Sequence, residues 1–237
     1  MLRICGVIIA LFFIQPVLAG DSVDQKCSDD RGKDRCGVDA QAATRNAYGL
    51  ADIDAVAAEG TYARRAMMVD GYGNDVLAVS FIRQKGNDPF VEIRGKRLAG
   101  AKDARSIRMP ISIAGWNDVL AKGAYFDRDF APKLNKNGKA ELANICLHSW
   151  MVTVEAADPE RLTPDTLPAM GMPPELRRKT QSACDGGLAM DYAFQLADMA
   201  YDMLPVCQAI DADLHRNKVM ALNACLLLSG DRAAAGH

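Results

Sequence analysis

Three histidines, His148, His215 and His237, are the first places to look for acid–base or metal chemistry. His237 closes an AAAGH tail and carries little weight. His148 lies in NICLHSWMVTVEA (144–156), where strand alternation places Cys146, His148, Trp150, Val152 and Val154 on one face. That face suits a half-buried core histidine beside a tryptophan better than a general base. A catalytic reading would rest on His148 and Glu155, but Ser149 cannot serve it as a nucleophile. Adjacent strand residues point to opposite faces, so Ser149 and His148 cannot pair. No GxSxG elbow or SxxK motif is present. CxxC and HExxH spacings are also absent, so neither a metal nor a cofactor is expected. Gly71-Tyr72-Gly73 joins two strand-like runs without a following GK[ST], and is read as a hairpin turn rather than a phosphate loop.

A second constellation is charged. Counting by twos along the strand-like runs puts Leu77, Val79, Phe81, Val91 and Ile93 on a core side. The opposite side then carries Ala78, Ser80, Glu92, Arg94 and Lys96, with Arg64 and Ala66 expected beside them. Arg64, Ser80, Glu92, Arg94 and Lys96 are therefore the candidate ligand-binding residues, a shallow site for an anion. The simpler reading is a solvated outer face whose charges keep the sheet soluble. Between residues 83 and 108 eight basic residues face three acidic ones, whereas 185–213 holds six aspartates and no Lys or Arg. The acidic run could be the basic stretch's complement within the chain.

The elements that must hold these residues follow from periodicity. Residues 39–59 are Ala-rich, with Leu50, Ile53, Val56 and Ala57 at helical spacing, and Gly60 is placed to stop the helix. Tyr62–Val69, Val76–Gln84, Phe90–Lys96 and Ile107–Ala114 read as strands, with Gly/Asn/Asp clusters suited to hairpins at 70–75 and 85–89. Asn117–Lys122 suggests a short helix, and 144–156 a fifth strand rich in β-branched residues. Five prolines between 158 and 174 exclude a regular element there. Beyond them, Glu175–Ala183 is a helix candidate. Leu188–Leu204 is a clear one, with Leu188, Tyr192, Leu196, Met199 and Met203 on one stripe and Asp191, Asp198 and Asp202 on the other side. Cys207–Leu228 reads as a further helix. Strands followed by helices imply an α+β fold: an antiparallel meander of about five strands with an N-terminal helix and a C-terminal helical hairpin, stapled by disulfides.

The compartment follows from MLRICGVIIALFFIQPVLA. Arg3, the apolar run from Ile4 to Ile14 and the small residues before position 20 describe a cleaved signal peptide over 1–19. Residues 20–237 then form a single exported domain: helix 39–59, sheet region 62–156, Pro-rich crossing 157–174 and helices 175–230. Cys5 leaves with the leader, and an even set remains for oxidation: Cys27, Cys36, Cys146, Cys184, Cys207 and Cys225. If 188–204 and 207–228 are both unbroken helices, Cys184–Cys207 and Cys207–Cys225 would be about 30 Å apart, beyond a bond's reach. The expected set is Cys27–Cys36, Cys184–Cys225 and Cys146–Cys207.

The net charge of −2 does not mark a nucleic-acid binder. These observations lead to a periplasmic or secreted protein, of bacterial style, without a membrane span after the leader. The expected role is non-enzymatic: a binding, inhibitor or immunity-like factor whose partner is a protein or an anionic envelope component. The competing expectation is a secreted or periplasmic hydrolase using His148 with a nearby carboxylate.

Overall fold

Turn chemistry sets out the first half of the sheet. The computed structural model describes residues 37–99, 101, 103–123, 149–159, 188–210 and 217–234, and the backbone of 178–184; the side chains of 188 and 230–234 are outside the description. Strand β1 (Thr61–Val69) follows Gly60, whose φ of 74° suits a glycine ending the preceding helix. β1 turns into β2 (Asp75–Gln84) through a loop in which the Asp70 carboxylate accepts from the amides of Tyr72 and Asn74. Gly86, at φ 83°, turns β2 into β3 (Phe90–Arg94), and β4 (Ser106–Pro110) pairs with β3. The chain returns in β5 (Met151–Ala157) and β6 (Arg178–Cys184) on the other side of β1. The sheet has six strands in the order β4-β3-β2-β1-β5-β6, and every neighbouring pair is antiparallel.

Helices cover both faces. On one face α3 (Ile113–Gly123), α4 (Leu188–Met203), α5 (Pro205–Gln208) and α6 (Lys218–Ala234) enclose the main core. Leu77, Val79, Phe81, Val91 and Ile93 are fully buried there, on the side expected of them. Tyr192, Leu196 and Met199 of α4 meet them, while Asp191, Asp198 and Asp202 face solvent. The other face is covered by α1 (Val38–Ala47) and α2 (Ile53–Ala58). Ile53 and Ala57 close on Ala63 and Ala157, and Tyr48 closes on Met67 and Ala78.

Several expectations are corrected. The helix expected over 39–59 is two helices, because Gly49 adopts φ 64° and the Asp52 carboxylate caps a new start by accepting from the Asp54 amide. The expected strand Ile107–Ala114 stops at Pro110, where Ser112 Oγ accepts from the Gly115 amide and begins α3 well before Asn117. Residues 178–184, expected within a helix, form β6: Thr180, Ser182 and Cys184 are weak helix formers, and the edge of β5 offers hydrogen bonds. This raises the strand count from about five to six.

The helix expected over Cys207–Leu228 is also broken. α5 ends at Gln208, and α6 begins after Asn217, whose side chain accepts from the Met220 amide. The chain thereby brings Cys207 and Cys225 to a Cα separation of 5.3 Å, joined by a disulfide. A cysteine forms one such bond, so the expected Cys184–Cys225 and Cys146–Cys207 pairings are both overturned. Their exclusion of Cys207–Cys225 rested on an unbroken helix that does not exist. Cys27–Cys36 lies outside the described residues, as do Cys146 and most of the Pro-rich crossing 157–174.

Candidate functional site

Strand register places one polar residue from each strand in a single row across the helix-α1 side of the sheet. Arg108 on β4 stands opposite Glu92 on β3, Glu92 opposite Ser80 on β2, and Ser80 opposite Arg65 on β1. Arg65 stands opposite Glu155 on β5, and Glu155 opposite Thr180 on β6. Ser80, Arg65, Glu92 and Glu155 are buried, and Glu155 is 0% exposed. Buried charges need partners, and here they find them along and above the row.

The two carboxylates are satisfied differently. Glu155 receives Arg45 Nη1 from α1 on Oε1 at 2.8 Å and Arg65 Nη1 on Oε2 at 3.0 Å, so each of its oxygens carries a guanidinium. Arg65 also donates to the Ala51 carbonyl at 2.9 Å, while its Nε has no partner among the described residues. Burial pulls the Arg65 guanidinium below its usual range, and Glu155 pushes it back. Glu92 receives a two-pronged contact from Arg94, Nε to Oε2 at 3.0 Å and Nη2 to Oε1 at 3.3 Å, and a third donor from Arg108 at 3.2 Å. The Arg108 guanidinium also lies 4.2 Å from the Phe90 ring centre.

These arginines hang the α1–α2 corner on the sheet. Arg94 Nη1 donates to the Gly49 carbonyl at 2.9 Å, the Arg97 amide donates to the Ala47 carbonyl, and Tyr48 donates its hydroxyl proton to the Met68 carbonyl at 2.7 Å. A side chain at Gly49 would be strained by its φ of 64° and would displace the Arg97 guanidinium, whose Nη2 lies 2.7 Å from where a Cβ would stand. Arg94 and Arg108 therefore share a single carboxylate, Glu92, and the Arg97 guanidinium lies with Arg94 beside Gly49. Arg97 forms no ion pair among the described residues, and the Arg108 side chain is 56% exposed.

The sequence-derived candidates divide accordingly. Ser80, Glu92 and Arg94 lie together on the polar face, and Lys96 lies beyond the end of β3, paired with Asp75 at 3.1 Å. Arg64 does not join them. It stands opposite Phe81 on the core side, with Ala66 opposite Val79, so both leave the polar face. There Arg64 donates to the Ala63 and Ala157 carbonyls and pairs with Asp158 at 3.1 Å. The polar face is also not the open or solvated surface expected, because α1 and α2 lie over it. Glu155 is placed in the row, and His148 lies outside the described residues. Sequence reasoning missed Arg65, Arg45, Arg97 and Arg108. Setting β1 in register with β2 would have found Arg65; nothing local to α1 signals Arg45.

Among the described residues no group of three or more His, Cys, Asp or Glu is arranged to hold a metal ion. No helix among them is long and apolar enough to cross a membrane. The fold and row define an α+β protein with a charged, helix-capped sheet face. Comparison with family models, with curated proteins and with solved structures finds no match to the chain.

Proposed function

We propose that the chain is an exported, disulfide-bonded binding protein of the cell envelope, of the inhibitor or immunity kind, which engages an anionic partner at the β3–β4 margin. The observation that carries this reading is the charge imbalance there. Arg94 and Arg108 share the Glu92 carboxylate, Arg97 stands with Arg94 beside Gly49, and Arg97 and Arg108 reach solvent. Along the sequence, eight basic residues stand against three acidic ones between 83 and 108, an excess of the same sign. Guanidinium groups fixed by carbonyl and carboxylate contacts are pre-oriented for carboxylate, phosphate or sulfate groups. An exported location is supported by the leader-like start and by the Cys207–Cys225 bond.

Glu155 is poorly suited to the hydrolase alternative, since both its oxygens are occupied by guanidinium donors. The test is a binding titration of the mature, oxidised protein with dextran sulfate. The expected result is salt-sensitive binding that weakens about tenfold in the Arg97→Glu/Arg108→Glu variant. Equal binding by variant and wild type would remove the margin from the account. Turnover in a hydrolase screen that His148→Ala abolishes would favour the enzyme instead.

A further inference from the structure

The outer edge of β4, which pairs with no other strand among the described residues, has a hydrogen-bonding polarity that can be read from its two ends. The Gly95 amide donates to the Arg105 carbonyl at 3.0 Å, and the Ile111 amide donates to the Pro89 carbonyl at 2.9 Å. With Phe90 opposite Pro110 and Arg94 opposite Ser106, both contacts fall on bonded pairs of an antiparallel ladder. Alternation then turns the backbone groups of Ile107 and Met109 inward to β3. The amides of Ser106 and Arg108, and the carbonyls of Ser106, Arg108 and Pro110, turn outward. Proline at 110 suits this arrangement, since its missing N–H lies on the outward side.

The two faces of this edge differ in chemistry. On the α1 side Arg108 ends the row that runs Glu155, Arg65, Ser80, Glu92, Arg108, whose charges change sign at each step apart from Ser80. On the α6 side lie the half-buried Ile107 and Met109. Leu227 and Leu228 of α6 are about half exposed, and the Leu227 carbonyl accepts from Arg105 at 3.3 Å, which places it beside the start of β4.

We propose that β4 takes up an extended acidic segment of a partner protein as a seventh strand. Its acidic side chains would lie beside Arg108 and its apolar ones beside Ile107, Met109 and Leu227. This rests on the reading of the β3–β4 margin as a site for an anionic partner and specifies that partner's form. Backbone pairing supplies affinity in such additions, and alternate side chains supply selectivity. The sign alternation of the row makes an acidic residue the favourable neighbour for Arg108.

The probe is a synthetic eight-residue peptide alternating glutamate and valine, compared with the same peptide N-methylated at alternate positions. The unmodified peptide is expected to bind and to slow hydrogen exchange at the Ser106 and Arg108 amides. Blocking one outward donor with Ser106→Pro, which keeps every charge, should weaken binding roughly 2- to 10-fold. Arg108→Glu should weaken it at least as much, and N-methylation should weaken it further. Equal binding of both peptides would show attraction by charge alone and overturn the proposal. So would a concentration-dependent dimer that Ser106→Pro abolishes, which would assign the edge to a second copy. If the peptide fails while dextran sulfate still binds through Arg97 and Arg108, strand addition falls and the margin stands. If both fail, the binding reading itself falls.

Discussion

Glu155→Gln separates a buried clamp from a decorative ion pair. The wild-type carboxylate is fully buried, and each oxygen accepts a charged donor, from Arg45 at 2.8 Å and from Arg65 at 3.0 Å. An amide keeps one acceptor but turns its NH2 toward a second guanidinium, donor against donor. Arg65, 2% exposed, cannot move to water, and its Nε is already without a partner among the described residues. Removing one member of such a pair costs about 3–5 kcal/mol, because the remaining charge stays buried. Against a typical total of roughly 5–15 kcal/mol this is a large fraction. At about 2–4 °C per kcal/mol for a chain of this size, the melting temperature should fall by roughly 6–20 °C. Urea unfolding followed by circular dichroism provides the free energy, and thermal melts the temperature. The Arg65→Met/Glu155→Met double variant should recover more than half the loss, since Arg45 keeps its pair with Asp52 at 3.2 Å and no fully buried charge is left alone. A Glu155→Gln cost below about 1 kcal/mol, the range of exposed pairs, would refute the burial argument.

Three further perturbations probe other parts. Burial, reinforced by Asp75, holds the Tyr48 phenol well above its ordinary range, so its ionisation opposes folding only as pH rises past the unfolded value near 10. In ultraviolet titration, wild type and Tyr48→Phe should therefore show equal phenolate absorbance around pH 10, and a missing contribution in the variant would contradict this. Asp198, though it reaches solvent, is raised chiefly by partial desolvation against the helix surface, with Asp202 adding to it against Lys218, so its contribution to stability is present below the unfolded value and lost as pH rises through the folded one. Asp198→Asn should melt slightly higher than wild type at neutral pH and equally near pH 3, as scanning calorimetry would show. Cys225→Ser opens the bond to Cys207, which spans a sequence separation of 18, and should cost about 2–4 kcal/mol in urea unfolding.

The core side of the sheet was legible because β1 to β3 are joined by Gly/Asn/Asp turns and β2 and β3 alternate strictly through Leu77, Val79, Phe81, Val91 and Ile93. The stripe of α4 was legible for the same reason at helical period. The second face was not. Strands buried on both sides ordinarily read as unbroken apolar runs, whereas here the second set is Arg65, Ser80, Glu92 and Glu155, which imitates a solvated face. Their burial depends on cross-strand pairing and on Arg45, which stands 110 residues before Glu155. The choice between Arg64 and Arg65 turned on register by a single residue, and one residue changes the face. The disulfide was missed because a break after Gln208 carries no strong stop signal, so the two cysteines seemed a helix length apart.

The claim that the β3–β4 margin is the contact surface is tested most directly by a hydrogen-exchange footprint of the oxidised protein with and without dextran sulfate. Slowed exchange confined to residues 94–99 and 105–110, and diminished in Arg97→Glu/Arg108→Glu, is the expected result. Protection centred on α4 and α6, or the same footprint in the variant, would contradict it.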